Sequence, residues 1–205
     1  MRSVLVANPK GGCGKTTIST NLAGAFARAG WVTAIADGDR QMSSLNWLER
    51  RSDDLPVIHG FDWTKGIGKV KKSVDRLVID APAAITPKDF RILLKMADSI
   101  ILPIMPSAFD QVAAVTFLGK IETLKPIRKN KKPVAVVANR VKMRSRAARS
   151  LIEFLEQFNH SPVMTMKETV IYADAAETGK SLFDRRDQTS RELQAAWAPL
   201  ITYVD

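Results

Sequence analysis

Cysteine is nearly missing from this chain. A single thiol, Cys13, closes no internal disulfide and builds no iron–sulfur or zinc–thiolate centre within one chain, so a reducing cytoplasm is the expected setting. Histidine is almost as scarce, and His59 and His160 stand isolated, with no role attached to either. No apolar run approaches the ~20 residues that a membrane span needs. The first residues pass straight into a strand-like stretch, Ser3-Val4-Leu5-Val6-Ala7, and no charged-then-apolar leader is expected. Repeats, low-complexity tracts and linkers are also lacking, so the expectation is one domain over residues 1–205 with one large core. Acid is the last deficit: 21 Asp and Glu face 31 Lys and Arg, a net charge of +10. That balance points to a polyanion partner, most commonly nucleic acid, or more plainly to solubility and a nucleotide site that needs positive charge.

What is present alternates. Short apolar runs, the form of buried parallel strands, occur at Ser3–Asn8, Thr33–Asp37, Leu77–Asp80, Ser99–Pro103, Pro133–Asn139 and Val163–Met166, with a further one at Val57–His59. Helical patterns lie between and beyond them at Lys15–Ala29, Met42–Arg51, Pro87–Met96, Phe109–Leu124, Ala147–Phe158 and Thr189–Thr202. In Ala147–Phe158 the residues Leu151, Phe154, Leu155 and Phe158 form one apolar face. Gly60–Val74, with Trp63 and four lysines, reads as a helix or a loop. The alternation predicts an α/β fold, a doubly wound, mostly parallel sheet with helices on both faces.

Pro9 through Thr17 sits where the first strand ends and a helix begins. Gly11, Gly12 and Gly14 let backbone N–H groups close around phosphate oxygens, and the helix N-terminus adds its positive dipole end. Lys15 would reach the β- and γ-phosphates, Thr16 would ligate Mg²⁺, and Thr17 would bond the α-phosphate. The strict consensus asks for glycine at position 9, where this chain has Pro9. The run Lys10-Gly11-Gly12-Cys13-Gly14-Lys15-Thr16-Thr17 instead resembles the deviant loop of the ParA/MinD family of ATPases, and the likeness extends along nearly the whole chain. That resemblance implies a P-loop NTPase fold with ATP and Mg²⁺ as ligands. It also implies that Lys10 reaches across a dimer interface to the partner's nucleotide, as an arginine finger does. Cys13 fills the variable position of the loop; a helix N-terminus and neighbouring lysines would draw its pKa down, yet it reads as a small residue that the backbone tolerates.

Asp37-Gly38-Asp39-Arg40-Gln41 is similar to the family's D-x-D-P-Q motif, with Arg40 in place of proline. By that resemblance Asp39 orients the attacking water, and Asp37 supports the metal and the switch segment; either aspartate could instead cap the helix beginning near Met42. Leu77-Val78-Ile79-Asp80-Ala81-Pro82 is an apolar strand ending in a carboxylate able to hold Mg²⁺ opposite Thr16. The stretch from Pro103 to Asp110 matches a further family segment, and Asn139 corresponds to its adenine-contacting asparagine, or else is a turn residue.

Between Lys120 and Arg149 stand eleven Lys or Arg and one acid, Glu122. They gather in Arg128-Lys129-Asn130-Lys131-Lys132 and in Arg140, Lys142, Arg144, Arg146 and Arg149 around a helix start; Arg185 and Arg186 form another candidate patch. Members of the ParA branch bind nonspecific DNA, and phosphate contacts of this kind give affinity without sequence reading. The last eleven residues hold no Lys or Arg, so a basic membrane-seeking helix is not expected there. The resemblance to small orphan members, including the carboxysome-positioning type, implies a homodimer that closes on ATP and binds nucleoid DNA. Hydrolysis would be weak alone and stimulated by a ParB-like or cargo-adaptor protein. The cargo would be a protein assembly, such as carboxysomes or chemosensory clusters, or a plasmid. A membrane-surface division regulator and a metabolic relative remain the alternatives.

Overall fold

The computed structural model describes residues 1–129 and 131–205. Strands β1 (Arg2–Val6), β2 (Thr33–Asp37), β3 (Ile58–Asp62), β4 (Arg76–Asp80), β5 (Ser99–Ile104), β6 (Val134–Val141) and β7 (Met164–Lys167) form one sheet in the order β3-β2-β4-β1-β5-β6-β7. Every pairing in it is parallel. Successive side chains along the central strands serve opposite faces. Leu5, Leu77, Ile79 and Leu102 enter one core layer, while Val4, Val6, Val78 and Ile101 enter the other. Both faces are covered, which is why these strands are continuous apolar runs with no polar alternation.

The helices are α1 (Lys15–Arg28), α2 (Ser43–Glu49), α3 (Pro87–Met96), α4 (Ala108–Glu122), α5 (Lys125–Arg128), α6 (Arg146–Gln157), α7 (Ile171–Glu177), α8 (Gln188–Ala195) and α9 (Ala198–Val204). Phe90 and Leu93 of α3, Leu118 of α4, and Leu151 and Leu155 of α6 pack on the first face. Ile18, Leu22 and Phe26 of α1 pack on the second, with Trp47, Trp197 and Leu200.

Of the two readings of Gly60–Val74 the loop holds, after Gly60–Asp62 complete β3. Three expectations change. The single helix expected at Thr189–Thr202 is two, because the chain breaks at Ala196–Trp197 to bury Trp197, whose indole donates to the Tyr172 hydroxyl at 3.1 Å. Pro199 then falls in the first turn of α9, where its missing N–H leaves no bond unmade. The helix α7 and the short α5 lie where no helix was expected; seven and four residues carry too little periodicity to announce themselves. In the basic run beginning at Arg128, Asn130 lies outside the described residues.

The segment after α7 straps α1 in place. Asn21 in α1 accepts from the Leu182 amide at 2.6 Å, and Arg28 pairs with Asp184 at 2.9 Å. Arg51, reaching in from the end of α2, holds the same carboxylate at 2.8 Å. Burial pushes the Asp184 carboxyl up, but Arg51 and the amide and hydroxyl of Ser181 outweigh it and hold the group below the usual range. Gly24 makes the contact possible, since a Cβ there would lie 2.1 Å from the Ser181 hydroxyl oxygen and 2.3 Å from its Cβ. In a helix interior Gly24→Ala would ordinarily add ~1 kcal/mol of stability. Here overpacking against the fully buried Ser181 wins, and the substitution is expected to destabilise by about 1–3 kcal/mol, read as a lower urea midpoint at unchanged slope.

Candidate functional site

The register of the sheet decides what meets at its carboxyl edge. Val6 of β1 and Asp37 of β2 both pair with Asp80 of β4, so the loop leaving β1 opens beside two carboxylates. Asn8 anchors that loop, donating to the Pro103 carbonyl at 2.7 Å and accepting from the Lys10 amide at 2.8 Å. Gly12 and Gly14 adopt φ of 73° and 94°, the left-handed region that glycine enters without strain. Gly14 is the N-cap of α1 and brings no side chain to it, and no acid stands in the first turn. The leading N–H groups of α1 therefore face an anion site unopposed.

The two loop lysines are placed differently. Lys15 is 7% exposed and its ammonium donates to the Lys10 carbonyl at 3.0 Å, inside the loop it would serve. The Lys10 side chain stands in solvent. Cys13 is fully buried, with its thiol 3.3 Å from the same carbonyl. Burial pushes that thiol up, against the Lys15 charge and the Lys15 amide, so the lowering expected from the helix N-terminus does not prevail.

Asp80 is the least satisfied group in this site. Both carboxylate oxygens are buried and neither has a hydrogen-bond partner. Its pKa is pushed up to about 7, first by burial and then by the Asp37 charge; Thr16, Lys15 and Ser19 act against the rise without a hydrogen bond of good geometry. A dry, unpartnered carboxylate next to a threonine hydroxyl fits a divalent cation with hard oxygen ligands. Asp37 differs. Its Oδ2 accepts from the amide and hydroxyl of Ser44 at 2.9 and 2.6 Å, and its Oδ1 from the Asp39 amide at 2.9 Å. Asp37 thus caps α2 and holds the switch segment, and both its oxygens are engaged by the protein. Asp39 remains half-exposed, and its Oδ2 accepts from the Ala83 amide at 3.3 Å, joining the segments after β2 and β4.

Asn139 braces the phosphate loop from β6. It is 1% exposed, donates to the Cys13 carbonyl at 2.7 Å and accepts from the Arg140 amide at 2.8 Å. A Cβ at Gly14 would lie 2.0 Å from its amide nitrogen, so glycine is what lets this brace slide under the loop. The same asparagine is the expected adenine contact, and it lines the cleft that opens beside the loop. That cleft, of about 540 Å³, is lined also by Thr17 of the loop motif and by Met166, Glu168, Thr169 and Val170, four residues that no sequence motif pointed to.

The basic residues divide likewise. Arg140 and Arg144 take φ of 50° and 65° as the chain turns from β6 into α6, and Lys142, Arg144, Arg146 and Arg149 are all exposed together there. Lys142 lies 3.5 Å from Glu168, a pair too exposed to neutralise it. Arg185, in contrast, is half-buried between Asp187 at 3.1 Å and the Ser190 hydroxyl at 3.0 Å. It braces the start of α8, while Arg186 stays exposed.

Asp80 predicts a measurable conflict between stability and site chemistry. Its carboxyl takes up a proton on folding between about pH 4 and its folded value of about 7. Stability of the ligand-free chain therefore falls across that window as pH rises. Asp80→Asn is expected to stabilise it at pH 8 by a few kcal/mol, with the gain gone near pH 4, when urea unfolding is compared at the two pH values without Mg²⁺.

Residues 4–183 match the family described as the CobQ/CobB/MinD/ParA nucleotide binding domain. The chain is 30% identical over 190 residues to the maintenance of carboxysome distribution protein A of Halothiobacillus neapolitanus, covering 88% of this chain and 86% of that one. Its fold superposes on the ATP complex of a Cyanothece McdA variant with a TM-score of 0.75 at 16% identity, covering 98% and 96% of the two chains. The septum site-determining protein MinD of Pyrococcus horikoshii, complexed with Mg-ADP, gives 0.72 at 17% identity over 100% and 96%. The all-parallel sheet is that of the P-loop NTPases of the MinD/ParA type. With the deviant loop in place at the end of β1, the chain belongs to the CobQ/CobB/MinD/ParA family of nucleotide-binding proteins.

Proposed function

We propose that this protein is an ATP-dependent dimerising switch that binds nucleoid DNA without sequence preference and positions a cargo, with hydrolysis stimulated by a partner protein. The observation that carries the reading is the opposite placement of the two loop lysines. Lys15 is buried in its own loop, where a phosphate oxygen would replace the Lys10 carbonyl, while the exposed Lys10 is free to meet a second nucleotide. Exposed Phe109 and Val112 lie on α4, whose Ala113 and Thr116 line a groove together with Pro9, and they supply apolar surface for the second copy. The fourth strand's carboxylate Asp80 and the Thr16 hydroxyl would hold Mg²⁺, which when bound would offset phosphate charge. The amides of Gly11, Gly12, Cys13 and Gly14 and the hydroxyl of Thr17 would bind the remaining phosphate oxygens. Asp39, half-exposed and tied to Ala83, would orient the attacking water.

The relative named for carboxysome distribution favours a protein assembly as cargo over a plasmid. The exposed basic segment from Arg140 to Arg149, together with Arg186, supports the DNA reading, as does the net charge of +10.

Two measurements test this. Lys10→Ala is expected to keep ATP affinity within about threefold while lowering partner-stimulated turnover by a factor on the order of 10³. Unchanged stimulated turnover would remove the cross-dimer role. Replacing Arg146 and Arg149 by alanine is expected to reduce the slope of log affinity for DNA against log salt by about one per residue. An unchanged slope would place the DNA face elsewhere.

A further inference from the structure

The turn from β6 into α6 carries an apolar side chain where positive charge is densest. Met143 is 61% exposed, and Lys142 and Arg144 flank it in sequence. Arg140, Arg146 and Arg149 stand exposed around the same turn. Among the described residues none of these arginines makes an ion pair, and Glu168 meets Lys142 alone. The backbone is committed to this presentation. The Ser145 amide donates to the Lys142 carbonyl at 3.0 Å, and the Ser145 hydroxyl caps α6 by accepting from the Ala148 amide at 3.1 Å. Arg140 and Arg144, before and after Met143, hold the left-handed backbone that costs a residue with a side chain free energy.

Beside the turn lies a shallow hollow of about 330 Å³, with Val141, Ala148 and Ile152 as its apolar lining and Thr165 and Glu153 as its polar one. Met143, Arg144 and Arg149 complete it. Apolar surface is thus at hand, yet most of the Met143 side chain is left in water. A face made only for phosphate oxygens gains nothing from a thioether at its centre, because phosphate contacts are made by charge and hydrogen bonds. Cations around one apolar tip match a polyanion whose interior is apolar and within a side chain's reach. Duplex DNA has that form: its bases stack between two rows of phosphates, and methionine is among the side chains that enter a base step as wedges. An anionic lipid surface is held differently, by a broad apolar face. On β6, the turn and α6, among the described residues, Met143 is the one large apolar side chain that is exposed.

We infer that Met143 is a wedge that enters a base step of DNA while the surrounding arginines and Lys142 hold the flanking phosphates. The inference rests on the DNA reading above and adds a mode of contact to it. No base edge is read. The preference that results is for steps that open easily, pyrimidine–purine steps above all, and the bound duplex is kinked there.

The test uses the full chain with ATP and Mg²⁺ and a short duplex holding one T-A step, with 2-aminopurine in place of its adenine. A second duplex carries the same label within a run of purines. Affinity is read by end-label anisotropy over a range of salt, and unstacking by 2-aminopurine fluorescence. The T-A duplex is expected to bind about threefold tighter and to brighten, while the purine run brightens little. Met143→Ala is expected to lose the brightening and about fivefold in affinity, with the slope of log affinity against log salt unchanged because no phosphate contact is removed. Met143→Leu is expected to keep both. A bound T-A duplex that stays dark, or one that Met143→Ala brightens as fully as the unaltered chain, would overturn the wedge and leave DNA binding standing. Failure to bind either duplex would overturn the DNA reading and the wedge with it. Met143-dependent binding to phosphatidylglycerol vesicles that neither duplex displaces would overturn the wedge in favour of a lipid surface.

Discussion

Everything at the carboxyl edge of the sheet follows from placing two aspartates side by side in a dry register. Asp37 and Asp80 end adjacent parallel strands as direct partners, and both are essentially without solvent contact. Two like charges so placed cannot both be left bare. The chain resolves the conflict unequally. Asp37 receives hydrogen bonds from Ser44 and Asp39, while Asp80 receives none and has its pKa raised to about 7. One carboxylate is satisfied by its own chain, and the other is left bare.

From that inequality the neighbouring segments take their positions. Asp37 sets where α2 begins, and through the Asp39 amide it sets the turn that carries the second aspartate of the motif. Asp39 in turn reaches the Ala83 amide, so a shift after β4 is felt after β2. On the other side, Asn139 closes β6 against the phosphate loop, and Asn21 in α1 is bonded to the strap at Leu182. The loop is thereby held by β6 directly, and the helix that follows it by the strap, as a rigid anion cradle requires.

Much of this was legible beforehand because it depends on local chemistry. The glycines at 11, 12 and 14, the apolar runs and the alternation of strand and helix announced a parallel sheet with a phosphate loop at its first turn. What stayed hidden depends on contacts across the chain. Nothing in the order Asp37-Gly38-Asp39 tells which carboxylate will meet Ser44, and nothing near Asn139 tells that its amide will slide beneath Gly14. Arg185 looked like a free cation until Asp187 and Ser190 proved to enclose it. The cleft beside Asn139 escaped for a related reason: Met166, Glu168 and Val170 carry no distinctive chemistry alone and gain meaning only from lying beside Thr17.

The contrast between the two loop lysines also has an entropic side. Both side chains carry about 2 kcal/mol of rotamer freedom when unconstrained. Lys15 surrendered its share when the chain folded and its ammonium settled on the Lys10 carbonyl, so meeting an anion asks little further ordering of it. Lys10 still swings in water and retains its share. One lysine is ordered at folding and the other is left in solvent, so the same short loop holds a lock already tempered and a latch still loose.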